Sequence, residues 1–403
     1  MNINTKFIFG AIIVVMGFGG PINHVDAKLK NVYWGGVGFS GSWDQRTDFY
    51  PQSSKLLCLK GKPKPCPLDT AARKFFAENK FSNFKFNTNP IPSNEPEALV
   101  GVISISGESL GIRQDIEKKE NSYIHIYRIF SNFLIYVVGS GKILHSIPVI
   151  LRHSIWLQSP ASDEKSYKIV KQLLTSDELG LNLFKVAHKN SKDIDPHIIP
   201  GKFVQITNFQ FSQKAAEAFQ MKNPHVHQGQ FAQFFEGQLV ASTGAHMNPS
   251  ASASVISGRI KATFENGERE MTIPPATVKV EVLVRLAKLF EKIKGPQKTV
   301  CHAVALTFKA AYADVLPDEI EEISQLKFAI FKDSCGVTDV KQKFPPNYYF
   351  SRSLFSLLQN MAGQFGAKKP DKSWLGRNAR GNKGKDVAAE IIKVRKQAFS
   401  LNF

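Results

Sequence analysis

Polar and apolar positions alternate with period two over residues 123–130 (YIHIYRIF), the spacing of a strand with one buried face. An apolar run at 133–138, a Gly-Ser-Gly turn at 139–141 and a second apolar run at 143–156 extend this into a predicted β-hairpin. Pro148 has no amide to give to a ladder, so the returning strand is expected at a sheet edge or at a bulge. Residues 32–39 (VYWGGVGF) and 99–106 (LVGVISIS) read as further strands. Helical spacing appears at 68–79, with Asp69 placed to cap its start, and at 164–175 after Ser162.

A similar order follows. Residues 202–211 predict a strand and 212–221 a helix capped by Ser212; residues 238–242 open another strand. Residues 278–290 and 299–312 form a strand pair around Gly295-Pro296. The runs KILHSIPVILRHSIW and TVCHAVALTFKAAYA each place a histidine early, His145 and His302, before an apolar stretch and a basic residue. A tandem repeat explains this; so do two ordinary domains whose strands look alike. Beyond residue 317 helices are expected at 318–328, with the acids of 318–322 facing the helix dipole, at 351–365 and at 387–398. Residues 246–257 are rich in small polar side chains and read as a loop.

The predicted fold class is therefore α+β: two tandem antiparallel-rich sheet-plus-helix domains followed by a helical, basic C-terminal region. The expected limits are a signal peptide at 1–27, domains at 28–188 and 202–316 around a linker at 189–201, and the C-terminal region at 317–403.

The N-terminus bears on location. Lys6, the uncharged apolar run 7–16 (FIFGAIIVVM), the Gly/Pro break at 17–21 and the small-x-small exit Val25-Asp26-Ala27 describe a secretory signal peptide cut after Ala27. The run is shorter than the ~20 residues of a membrane-spanning helix. The sequence thus predicts a periplasmic or secreted protein with no transmembrane segment after cleavage. Four cysteines follow the leader, an even number that suits disulfides in an oxidising compartment. Cys58 and Cys66 bracket a short loop (CLKGKPKPC) that is easily closed, which leaves Cys301 with Cys335.

The net charge of +18 favours anionic partners. For an exported chain these are envelope proteins or anionic envelope polymers and lipids, and nucleic acid is not expected. The densest basic stretch is 366–386, where Lys368, Lys369, Lys372, Arg377, Arg380, Lys383 and Lys385 surround Trp374; it is the candidate polyanion-binding surface.

Catalytic signatures are lacking. Gly38-Phe39-Ser40-Gly41-Ser42 lacks the last glycine of a nucleophile elbow. Ser162-Asp163-Glu164-Lys165 matches SxxK without its companion motifs, and Gly139-Ser140-Gly141-Lys142 lacks the first glycine and the hydroxyl of a phosphate loop. His225 and His227 are weak metal candidates, because in a strand both would face one way; His246 or Glu236 would supply a third ligand. No catalytic residue is assigned and no cofactor is implied.

The order VYWGGVGF, LDTAARKFF, LVGVISIS and SNFLIYVVGSGKILHSIPV, with Gly141-Lys142-Ile143-Leu144 before the returning strand, resembles the periplasmic α+β domains of the curli-secretion-protein and cell-wall-synthase-activator type. The resemblance covers residues 32–157 and, more loosely, 202–313. It carries over no functional residue, and the lipid-bearing cysteine of such lipoproteins is missing here. The expected function is an exported, non-enzymatic bacterial envelope protein acting as a binding or assembly component. The alternatives are a secreted hydrolase with a site near His225, His227 and Glu236, and a secreted effector.

Overall fold

The computed structural model describes residues 30–41, 43–58, 66–92, 94–114, 123–221, 224–250, 255–256, 258–313, 321–331, 334–339, 346–379, 381–382, 384 and 386–399. The expected leader lies outside them. The fold is α+β, with two mixed sheets and helices packed on them. Among the described residues no helix is long and apolar enough to cross a membrane.

The first unit runs β1 (Lys30–Ser40), α1 (Arg46–Phe49), α2 (Pro67–Glu78), β2 (Phe84–Asn87), β3 (Leu99–Gln114), β4 (Tyr123–Val137), β5 (Ile143–Leu157), α3 (Asp163–Thr175) and α4 (Leu183–Ser191). Alternate residues such as Ile103, Ile105, Phe133, Ile135, Ile147 and Val149 put one sheet face against α2, α3 and α4. Ser162 caps α3 as expected, its hydroxyl accepting from the Lys165 amide. Asp69 does not cap α2: it lies inside the first turn, where it accepts from Trp34 Nε1 at 2.8 Å and from Arg73 Nε at 2.6 Å. Pro148 stands on β5, the last strand of the path, where its missing amide does least harm.

The chain continues through β6 (Val204–Phe211), α5 (Gln213–Phe219), α6 (Pro224–Thr243), β7 (Met247–Asn248), β8 (Val255–Ile256), β9 (Arg259–Phe264), β10 (Gly267–Thr272), β11 (Val278–Lys294), β12 (Gln297–Tyr312), β13 (Glu322–Ile330) and β14 (Cys335–Asp339), then α7 (Pro346–Gly366), α8 (Lys372–Asn378) and α9 (Val387–Val394). The first sheet has the order β10-β9-β1-β3-β4-β5 and the second β13-β12-β11-β6-β7. Each contains a strand parallel to the next, β1 beside β3 and β6 beside β11, followed by an antiparallel meander. In this shared order β5 corresponds to β13, and β12 to β4. His145 on β5 and His302 on β12 are therefore not equivalent, although their local sequences are alike.

Four expectations change. Residues 238–242 are the end of α6, not a strand: Phe231, Phe235 and Leu239, spaced by four, are buried together. Residues 322–330 are the strand β13, not a helix, because Ile323, Leu326, Phe328 and Ile330 face the core with mostly alternate spacing; residues 318–320 lie outside the described set. The C-terminal region, expected to be helical from 317, holds its helices from 346 on but begins with β13 and β14 of the second sheet, and Leu354, Leu358, Phe365 and Phe399 complete that sheet's core. Finally, β9 pairs with β1 across the boundary at 189–201, so residues 259–272 of the expected second domain extend the first sheet.

The helix α6 joins the two units. Its apolar residues are not confined to one side, as suits a helix covered on both. Phe235 and Leu239 enter the second core, while the backbone at Gly237 lies against Ile150 and Pro148 of β5; a Cβ there would stand 2.5 Å from Ile150 Cδ1.

Candidate anion-binding site

Beyond the point where the helices cover it, the first sheet continues as a three-stranded ribbon made of the ends of β3, β4 and β5. Antiparallel register sets Arg128 of β4 directly opposite Arg152 of β5, on the same face. Ser154 and Trp156 follow Arg152 on that face, and Trp156 is 51 % exposed. Directly opposed like charges destabilise a sheet by a few tenths of a kcal/mol up to about 1 kcal/mol. Two guanidiniums held there constitute a site of positive potential.

A cleft of about 360 Å³ opens beside Arg128. Its sheet side is Ser109, Leu110, Gly111 and Ile112 of β3; its helical side comes from α5, α6 and α7. The floor is aromatic. Phe219 and Phe231 are buried, and the Phe231 and Phe355 rings lie 4.6 Å apart. The Arg128 guanidinium sits 4.6 Å from the Phe355 ring centre, a cation–π contact that fixes its head at the mouth. Arg352, one turn before Phe355 on α7, lines the same cleft from an exposed position. Among the described lining residues there is no aspartate or glutamate.

Three further groups shape the cleft. His227 lies in the first turn of α6, and burial lowers its pKa, so the ring is neutral and able both to donate and to accept. Gln230 Nε2 donates to the Glu108 carbonyl at 3.1 Å and ties α6 to β3. Gln220 ends α5 with φ +50°, the left-handed region that a non-glycine residue adopts at some cost. The cleft also meets the N-terminal end of the 20-residue α6, where the helix dipole adds to the positive potential. Two arginines at the mouth, a third beside it and an apolar floor make an arrangement for an oxyanion borne on a larger framework.

Glu108 shows how the wall is held. It is 6 % exposed, yet its carboxylate accepts from the amides of Gln52 and Ser53 and from the Ser53 hydroxyl at 2.8 Å. Burial pushes its pKa up while these donors pull it back. It is a structural clamp across β3 and the segment before α2.

The predicted site residues fall elsewhere, except His227. In a helix, residues two apart point about 200° from each other, so His225 and His227 do not share a face as they would in a strand. The His225 side chain is not among the described ones. Glu236, nine residues further, is fully buried near Ser250 without reaching hydrogen-bond geometry, and burial holds its pKa well above the carboxylate range. Among the described residues no group of three or more His, Cys, Asp or Glu is placed to hold a metal ion.

In the basic stretch Lys368, Lys369, Lys372 and Arg377 are exposed, whereas Arg380, Lys383 and Lys385 lie outside the described residues. Trp374 is not an interfacial anchor. It is 6 % exposed in the second core, 6.0 Å from the Phe328 ring, because Asp371 caps α8 and turns the indole inward. This stretch follows the far end of α7, about 21 Å along the helix axis from Arg352. The two basic regions are separate.

Cys301 and Cys335 form a disulfide across β12 and β14. Cys58 and Cys66, expected to pair, stand as thiols, with Cys66 Sγ 3.9 Å from the Cys58 carbonyl oxygen. Burial, with help from the Cys58 and Glu265 side chains, pushes the Cys66 pKa up. Sequence reasoning missed the cleft. Its one local signal was the pair of arginines at mirrored positions around the 139–141 turn. No protein-family model matches the chain, and no curated protein matches it significantly.

Proposed function

We propose that this chain is an exported, non-enzymatic binding component of a bacterial envelope, and that the cleft between β3, β4, α6 and α7 holds phosphate or carboxylate groups of an anionic envelope polymer. The observation that carries this reading is the opposition of Arg128 and Arg152, with Arg352 at the mouth of an aromatic cleft. The strand register sets the two guanidiniums side by side and so concentrates positive charge at the rim of the cleft. The N-terminal leader pattern and the net charge of +18 support an exported protein that meets polyanions. The Cys301–Cys335 bond suits an oxidising compartment.

The test is titration with polyphosphate and with polyglutamate, a phosphate-bearing and a carboxylate-bearing probe, at low and moderate salt. Binding of either that weakens at least tenfold in an Arg152→Glu, Arg352→Glu double variant, but not in a Lys368→Glu, Lys369→Glu one, supports the cleft. Failure of both probes to bind, or equal loss in the two variants, refutes it.

A further inference from the structure

The second sheet also projects beyond its helices. Pairing of β11 with β6 ends at Val284, yet β11 runs on to Lys294 and stays paired with β12 throughout. All seven residues 288–294 are exposed, so both faces of this strand stand in solvent for about 20 Å. The third strand of the ribbon is β14, bound to β12 by the Cys301–Cys335 disulfide at its base.

The exposed side chains are of two kinds. Phe290 and Val337 (38 % and 66 % exposed) share one face, since Phe290, Cys301 and Cys335 lie in register. Leu289 and Ile293 (37 % and 63 %) share the other. Among them, residues 288–298 carry four lysines against one glutamate, a net charge of +3. Lys298 pairs with Glu291 at 3.4 Å, and Lys288 Nζ lies 5.0 Å from the Phe290 ring centre.

The geometry points to this ribbon as a membrane-docking element that inserts its tip into the headgroup layer of an anionic bilayer. A protein groove covers one face of a ribbon; here apolar side chains occupy both, and only a medium surrounding the tip buries all of them. Lysine stems lie along apolar surface while their ammonium groups reach lipid phosphates, so the charge is complementary to an anionic leaflet. Among the described residues no strand lies beside the outer edge of β11 beyond Val284, and unpaired backbone groups are not tolerated in hydrocarbon. Insertion therefore stops at the hydrated interface. This inference concerns a different surface from the arginine cleft and does not depend on it.

The experiment is co-sedimentation of the full chain with phosphatidylglycerol-containing vesicles and with phosphatidylcholine vesicles. The expected result is salt-sensitive binding to the first. It falls at least tenfold in Phe290→Ser, Ile293→Ser and in Lys292→Glu, Lys294→Glu variants that keep the wild-type Tm, and by far less in a Lys168→Glu, Lys171→Glu variant, which makes the same change in net charge at exposed positions of α3. The N-terminal segment is identical in all of them, so a loss reports the ribbon. An Ile293→Trp variant, which keeps the tip apolar, is expected to be quenched by brominated lipid. No binding, binding equal in the ribbon variants, or an unquenched Trp at 293 would overturn the proposal.

Discussion

Arg128 and Arg152 face each other across β4 and β5, a pairing of like charges imposed by the strand register. An Arg152→Glu substitution turns a like-charged pair into an opposite one. It is expected to stabilise the free protein by roughly 0.2–1 kcal/mol at low salt. The same change weakens polyanion binding at least tenfold. Thermal melts and titrations on one sample measure both; a variant that loses stability and keeps affinity contradicts the assignment.

Glu236 is buried with no charged partner among the described residues, and its folded pKa lies well above the ordinary value. The unfolded chain loses this proton near pH 4 while the folded chain keeps it, so stability declines as pH rises from there toward the folded pKa. Glu236→Gln keeps the shape and removes the proton uptake. Its Tm is expected to exceed that of the wild type by a few degrees at pH 7 and to match it at pH 4.

His145 acts in the opposite sense. Burial first, and the nearby His246 next, lower its pKa to about 4; His197 adds to the lowering, and Asp195 and the Pro196 backbone oppose it. The unfolded histidine gains a proton below about 6.5 and the folded one only near 4. Stability is therefore lost as pH falls from about 6.5 to 4 and levels off below. His145→Gln is expected to flatten that portion of the Tm–pH curve, and an unchanged slope would assign the decline to other groups.

The Cys301–Cys335 bond closes a span of 34 residues that includes β13. Cys335→Ser is expected to cost about 3–4 kcal/mol, measured by urea unfolding. Because the bond fixes β14 to β12, limited proteolysis within β14 should accelerate in the same variant.

Two glycines of α7 have opposite predicted effects. A Cβ on Gly366 would stand 2.1 Å from the Ser242 carbonyl oxygen at the end of α6, and backbone cannot swing aside. Gly366→Ala is expected to destabilise by about 1–3 kcal/mol. A Cβ on Gly363 meets nothing within 4 Å, and Gly363→Ala should stabilise by about 0.5–1 kcal/mol through reduced backbone entropy. Paired melts of the two variants check the sign.

Local chemistry alone determined much of this molecule. The period-two run at 123–130, the Gly-Ser-Gly turn and the apolar return place β4 and β5, and Ser162 and Ser212 mark the helix starts where their hydroxyls accept from Lys165 and Ala215. Such signals act between residues a few positions apart and survive in any context. Tertiary structure decided what each face meets. It made 238–242 the end of a helix because Phe231, Phe235 and Leu239 meet a core together, and 322–330 a strand because β12 offered an edge. It also turned Trp374 inward and gathered Arg128, Arg152, Arg352 and His227 around one opening. Periodicity reports that a face is buried but not which partner buries it. Strand register and helix docking join residues hundreds of positions apart, and only the folded chain brings those charges together.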